Sequence, residues 1–381
     1  MNDRDASSKQ PGDPQPDSLS QVRAEIDALD RQIQQFINAR AELATRVRNS
    51  KGEHLPAIDY YRPEREAQVL RKILDSNQGP LSDAEMLRLF REIMSACLAQ
   101  QKPLRIAYLG PEGTFTQQAV LIQFGHSVHA LAQGSVDEVF QQVEQAEADF
   151  GVVPIENSTQ GMVSHTLDRL LTSALKICAE VEMQIHQNLI TTASALNGIE
   201  RVYSHGQSLA QCRNWLREHL PEVELIAVSS NAEAVRRIRH DERAAAIAGE
   251  NAAEVYQVPV LMANIEDQVD NSTRFLVIGR QLCPPSGEDR TTLLLAGHEG
   301  PGLLYRLLEP IARAGVNMSR IESRPSHQGK WNYVFFVDLD GHVDDPPVQQ
   351  ALAELRQTAK VVRVLGAYPR AVMADSGKPA A

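Results

Sequence analysis

Between residues 19 and 50, apolar side chains recur at steps of three and four: Val22, Ile26, Leu29, Ile33 and Ile37. That spacing predicts one long amphipathic helix. The stretch 52–56 breaks it, and Pro63 suits the first turn of a second helix reaching about residue 74. A third helix is expected from 82 to about 101, with Met86, Phe90, Met94, Cys97 and Gln101 on one stripe. One long helix and two short ones bury little by themselves, so an intertwined dimer is expected. Past residue 104 the pattern changes. Short apolar runs at 104–109, 150–153, 244–248 and 275–278 read as buried strands between helical stretches, and Ser135/Glu138 and Ser230/Glu233 read as capping boxes. This predicts a doubly wound α/β unit over 104–280, long enough for two lobes and a cleft. Residues 290–368 read βαββαβ, the ferredoxin-like split arrangement, with strands at 291–296, 317–323, 331–339 and 361–365. The stretch 283–289, CPPSGED, reads as a linker, and 1–18, rich in Pro, Asp and Ser, as a disordered tail. The expectation is therefore multidomain: all-α over 19–102, two-lobed α/β over 104–280, and α+β over 290–368.

Composition removes several function classes. A net charge of −11 argues against a nucleic-acid surface. The charge is uneven, because residues 19–102 hold thirteen Lys and Arg against twelve Asp and Glu, which leaves room for an anion site there. Cys97, Cys178, Cys212 and Cys283 are scattered, with no CxxC pair or zinc-ligand spacing, as suits a reducing compartment. The first residues lack the apolar stretch of a signal peptide, and no run is long enough to cross a membrane. A soluble cytoplasmic protein is expected.

Candidate chemistry falls in both larger segments. Arg40 and Lys51 lie within about 20° of one another on a helix and about 16 Å apart along it, while Arg23 sits about 100° away. If Arg23 serves a site, it is one completed by another chain. Arg65 and Glu66 sit on the second helix and Gln101 at the end of the third. A solvated helix surface accounts for each cation taken singly; several converging with a Glu and a Gln need an anionic ligand to offset their burial. In the α/β segment the apolar run 150–153 ends at Pro154 and is followed by Glu156-Asn157-Ser158-Thr159. Ligands of open α/β sheets bind at the carboxyl ends of strands, although an Asx or Ser turn capping a helix near Gly161 fits the quartet too. GPEGTF (110–115) follows the first strand without dinucleotide-fingerprint spacing. YSHGQ places Ser204, His205 and Gln207 after another strand, and NSTRF places Thr273 and Arg274 before a third.

RAEIDALD, INARAELA, Lys51 and YRPEREAQVL together resemble the all-helical class of chorismate mutase. The resemblance implies entwined dimers with shared sites and a rearrangement that needs neither nucleophile nor metal. It casts Arg23 as the partner's contribution, Arg40 and Arg65 as carboxylate binders, Lys51 and Gln101 as donors to the ether oxygen, and Glu66 as a hydroxyl binder. Arg62 stands where the family often has Asp, and Cys97 where it often has Ser. GPEGTF, VVPIENSTQG, YSHGQ and NSTRF, in that order, resemble prephenate dehydratase, a fold similar to periplasmic binding proteins. Thr273 is implied as the essential residue, Glu156, Asn157 and His205 as hydrogen-bonding or acid groups, and Ser204, Gln207 and Arg274 as substrate contacts. GPGLL, with Gly302, Leu303 and Leu304, and ESRP, with Glu322, Ser323, Arg324 and Pro325, resemble the phenylalanine-binding motifs of ACT regulatory domains. The combination resembles bifunctional chorismate mutase/prephenate dehydratases: chorismate to prephenate, then phenylpyruvate, no cofactor, with phenylalanine as inhibitor. Two other readings stay open, a non-catalytic amino-acid sensor and a dehydratase whose mutase is dead.

Overall fold

A computed structural model describes residues 19–51, 61–100, 102–297, 300–326 and 333–373, apart from the side chains of 48–51. The tail 1–18, the break at 52–56, Gln101, Trp331 and the Lys51 side chain lie outside the described residues. The first helix, α1, is Leu19–Lys51, followed by α2 (Pro63–Ser76) and α3 (Asp83–Ala99). Ser82 and Glu85 close a reciprocal capping box on α3. Along α1 most of the predicted stripe is uncovered: Val22, Ile26, Leu29 and Ile33 are exposed, and Ile37 is half-buried. Helices α2 and α3 instead pack onto the next unit. Tyr61 packs tilted against Phe124 and edge-on against Phe150, with ring centres 5.1 and 5.3 Å away, and joins the core of Leu104 and Ile106. Gly125 has φ 68°, and any side chain there would collide with Ser95 of α3.

The α/β unit begins β1 (Arg105–Leu109), α4 (Phe115–Phe124), β2 (His129–Gln133), α5 (Val136–Glu144), β3 (Phe150–Asn157), β4 (Gly161–Met162), α6 (Ser164–Thr172) and β5 (Lys176–Gln184). A second lobe follows: β6 (Asn188–Ile190), β7 (Arg201–His205), α7 (Gly206–Gln211), α8 (Arg213–His219), β8 (Glu224–Val228), α9 (Asn231–Ile238), β9 (Ala244–Ala248), α10 (Glu250–Tyr256) and β10 (Val260–Met262). Strand β11 (Ser272–Gly279) returns to the first lobe and pairs antiparallel with both β3 and β5. The chain thus crosses between lobes twice, at 184–188 and 262–272. The second lobe is a sheet of its own, ordered β10-β6-β9-β7-β8.

The last unit is β12 (Asp289–Ala296), α11 (Leu303–Arg313), β13 (Met318–Pro325), β14 (Tyr333–Asp340), α12 (Pro346–Thr358) and β15 (Val361–Pro369). Its strand order, β13-β14-β12-β15, is the expected ferredoxin-like one. Through β15 against β5 it continues the first-lobe sheet into one ten-stranded sheet. The expected linker is packed: Cys283 and Ser286 are buried, and Arg71 of α2 donates to Ser286 O, Ser286 Oγ and Glu288 O.

Three local expectations are corrected. Strand β3 does not stop at Pro154 but runs on to Asn157, because a register shift in the β3–β11 pairing lets the ladder pass Ile155 unpaired. Gly161 opens the short strand β4 rather than a helix, which starts at Ser164. Ser135 and Ser230 cap their helices as expected, but the glutamates do not complete boxes. Glu138 accepts from Gly134 N, and Glu233 pairs with Arg236 and Arg237.

Candidate active sites

The helical pocket opens between α1, α2 and α3, with a volume of about 570 Å³. Arg40, Arg62, Arg65, Glu66 and Cys97 all line it, together with Arg91 and an apolar wall that includes Phe124 of the α/β unit. Cys97 is almost fully buried and contributes to the wall. Arg62 is exposed and lies 3.6 Å from Glu64. Arg23, on the exposed face of α1, is not part of this pocket. Loss of solvation pushes the Glu66 carboxyl up to about 7, while Arg91, a hydrogen bond from Tyr61 and then Arg40 pull it back. Four guanidinium groups with one such carboxyl make a pocket for a small anion. Arg91 was missed in the sequence; its place on the α3 face turned to α2 is the signal that would have found it.

The second site is the cleft between the lobes, about 340 Å³. Thr273 and Asn157 face each other across β11 and β3. Asn157 Oδ1 accepts from Thr159 N, Thr159 Oγ1 and Gln160 N at 3.1, 2.6 and 3.2 Å. Those donors fix the amide's orientation, so its Nδ2 donates to Thr273 Oγ1 at 2.9 Å and to Asn271 Oδ1 at 2.8 Å. The threonine hydroxyl is held as an acceptor and keeps its own proton to give. His205 and Gln207 line the cleft from the second lobe. Gln187, Ser208, Gln211 and Asn231 complete its polar wall. Gln187 Nε2 donates to Ser208 Oγ and Gln211 Oε1, and Asn231 Nδ2 donates to Ser208 Oγ. Gln187 Oε1, in this wall, is buried without a partner. A register argument would have found Asn231, since it opens α9 just past the carboxyl end of β8.

No Lys or Arg is among the described residues lining this cleft, and His205 is its one titratable group. Helix N-termini border it instead. Thr114, His205, Ser230 and Gly249 line it, and they are the N-caps of α4, α7, α9 and α10. GPEGTF brings the lobes together. Gly113, with φ 83°, lets Ala252 and Tyr256 approach, and Tyr256 Oη donates to Glu112 O at 3.1 Å.

Three expected cleft residues lie elsewhere. Glu156 precedes Asn157 on β3, so strand alternation turns it to the opposite face, where it meets Arg320 of β13 at 2.9 Å. Arg274 alternates with Thr273 in the same way and is buried between Glu180 (2.8 Å) and Asp338 (2.7 Å), with Tyr368 Oη at 2.9 Å. Ser204 is fully buried and donates to Ile247 O and Asn231 Oδ1. It supports Asn231 and does not reach the cleft.

In the last unit, Gly302 caps α11 in the left-handed region, followed by half-buried Leu303 and exposed Leu304. The ESRP residues do not share a face. Ser323 pairs with Phe335 on the side covered by the helices, whereas Glu322 and Arg324 turn toward the α/β unit. Arg324 binds Asp168 and Ser164 of α6, both at 2.7 Å. Pro325 is exposed at the strand's end.

A cation-lined helical pocket, a two-lobed cleft and a ferredoxin-like unit in one chain define a multidomain enzyme with an appended sensor-type domain. Family comparison agrees segment by segment: chorismate mutase type II matches residues 22–102, prephenate dehydratase 106–282, and the ACT domain 291–357. A bifunctional chorismate mutase/prephenate dehydratase of Stutzerimonas stutzeri is 49% identical over 361 residues, 94% of this chain and 99% of the relative. The namesake from Pseudomonas aeruginosa is 48% identical, with the same coverage. A crystal structure of prephenate dehydratase from Arthrobacter aurescens in complex with L-Phe covers 72% of this chain and 94% of its own. It is 36% identical, with a TM-score of 0.65. The chain belongs to the bifunctional chorismate mutase/prephenate dehydratase family, and it carries both activities together with an ACT domain. No helix among the described residues is long and apolar enough to cross a membrane.

Proposed function

We propose that the chain works as three units, 19–102, 104–280 and 290–368, and that the two pockets act in succession on one small dianion. In the helical pocket, Arg40 and Arg65 take the carboxylates of chorismate and hold it in a compact conformer. The Lys51 side chain and Gln101, both outside what the structure describes, supply the ether-oxygen contacts. Glu66 takes the hydroxyl, and Arg62 borders the entrance. Catalysis of a pericyclic step asks only for positioning and charge stabilisation. The exposed apolar stripe of α1 supports an entwined dimer in which Arg23 enters the partner's pocket. Four free, buried cysteines fit a cytoplasmic location.

In the cleft, the carboxylates of prephenate meet helix N-termini and neutral donors. Thr273 donates a hydrogen bond to the leaving ring hydroxyl, which takes up a proton from solvent and departs as water; carbon dioxide leaves, and its bonding pair completes the aromatic ring of phenylpyruvate. Asn157 holds Thr273 in place, and His205 and Gln207 contact the substrate from the opposite lobe. The single observation that carries this reading is the Asn157–Thr273 pair, which leaves a protonated hydroxyl facing the cleft.

Phenylalanine acts at the start of α11 and the exposed edge of β13, where Gly302, Leu303, Leu304 and Ser323 lie on the helix-covered side. The alternate residues of β13 carry the signal, since Arg320 and Arg324 grip β3 and α6 of the dehydratase. The test is an assay of the purified full chain. Chorismate is consumed, prephenate yields phenylpyruvate, and phenylalanine lowers the second rate. Failure to form phenylpyruvate from prephenate overturns the cleft assignment.

A further inference from the structure

The C-terminal segment beyond β15 reaches the helical pocket. Arg91 Nη2 donates to Val372 O at 2.9 Å, and Ala371 N donates to Glu180 Oε1 at 3.1 Å. A small cavity of about 20 Å³ lies there, walled by Glu66 and Arg91 on one side and by Pro369–Val372 on the other. Glu66 and Arg91 therefore stand between the substrate pocket and the segment that follows the regulatory domain. Arg91 Nε is buried and has no hydrogen-bond partner. A guanidinium fixed at one end by a backbone carbonyl is a preorganised charge for the neighbouring carboxylate.

We propose that Arg91 is a positioning residue of the mutase reaction: anchored by the Val372 carbonyl, it holds its charge beside Glu66 in the wall that the two residues share. The C-terminal segment thereby becomes part of the mutase site, although it follows the regulatory domain in sequence. The inference rests on Glu66 contacting substrate. The other charged or titratable groups around Glu66 are Arg40 from α1, Tyr61 ahead of α2, and Arg62 and Arg65 flanking it. From the α/β and C-terminal sides come Glu180 and Arg370, and from α3 the Cys97 thiol. Arg91 and Glu180 are both hydrogen-bonded to the C-terminal segment, and of the two Arg91 lines the substrate pocket.

The experiment measures mutase kcat and KM from pH 5.5 to 9 on the full chain, with Arg91→Met, Arg91→Lys and Glu66→Gln beside it. Arg91→Met is expected to lower kcat/KM about tenfold or more, as loss of a charged hydrogen-bonding partner does. The Glu66-dependent limb of its pH profile should move about one unit to higher pH, because the carboxylate loses its cation. Arg91→Lys recovers most of the rate, and the dehydratase rate of each Arg91 variant stays within about twofold of the parent. A chain ended after Arg370, which lacks the Val372 carbonyl, moves the limb the same way by less. A parental limb and rate in Arg91→Met overturns the proposal. If that variant loses both activities, the shortened chain decides, and a parental limb there overturns it. Should Glu66→Gln itself leave mutase kinetics unchanged, it is the underlying pocket reading that fails.

Discussion

In the helical pocket, positive charge is carried on side chains: Arg40, Arg62, Arg65 and Arg91 surround a carboxyl whose ionisation falls near neutrality. In the inter-lobe cleft no described lining residue is a Lys or Arg, and four helix N-caps take their place. Both pockets are built for small anions, so the difference lies in the scaffold. Three helices turn their sides to a ligand, and only long side chains can bring charge to it. A two-lobed α/β fold points helix ends and strand ends into its cleft, so peptide dipoles are already there. In the proposed dimer a second chain completes the first. The second is complete within one chain.

The sharpest way to break this comparison is to remove one group from each pocket. Thr273→Ala should lower dehydratase kcat by about a thousandfold while mutase activity stays within about twofold. Arg40→Ala should do the reverse with similar size. Separate assays of chorismate loss and phenylpyruvate formation check both, and a variant that loses both activities while still folded contradicts two independent pockets. A smaller effect is expected at the regulatory junction. Arg320→Ala, which cuts the 2.9 Å pair with Glu156, should raise the phenylalanine concentration for half-inhibition by about fivefold, a coupling of about 1 kcal/mol. An unchanged inhibition curve would remove β13 as the route.

The smallest effect concerns stability. The folded Glu66 carboxyl binds its proton more tightly than an unfolded one, so folded stability falls as pH rises from the ordinary carboxyl range to about 7. Glu66→Gln escapes that loss. It should melt a few degrees higher than the parent at pH 8, about 1 kcal/mol for a partly exposed group, and at the same temperature as the parent at pH 4. A melting difference that does not change with pH contradicts the raised carboxyl.

Much of this organisation was legible in the chain. The step from three-and-four spacing to short apolar runs marks the change from helices to α/β, and Pro63 and Ser82 sit where α2 and α3 begin. The motifs located the cleft but not which of their residues face it. Glu156 and Asn157, and equally Arg274 and Thr273, are neighbours in sequence and opposites in space, because a strand sends successive side chains to opposite faces. Which face is which depends on the shift beside Pro154 and on pairing between strands 116 residues apart, as the Asn157–Thr273 bond shows. Nothing local encodes either. The Arg91–Val372 contact joins residues 281 apart and was equally invisible. The ESRP run is contiguous in sequence, yet alternation gives Ser323 to the helix-covered face of the sheet and Arg324 to α6.

The most direct test is a crystal structure of the full chain with a non-reacting prephenate analogue in the inter-lobe cleft. Thr273 Oγ1 is expected within hydrogen-bonding reach of the ring hydroxyl and the carboxylates on the backbone amides that open α4 and α9, with no Lys or Arg side chain touching them. An analogue held instead by a guanidinium or ammonium group, with Thr273 turned away, would contradict it.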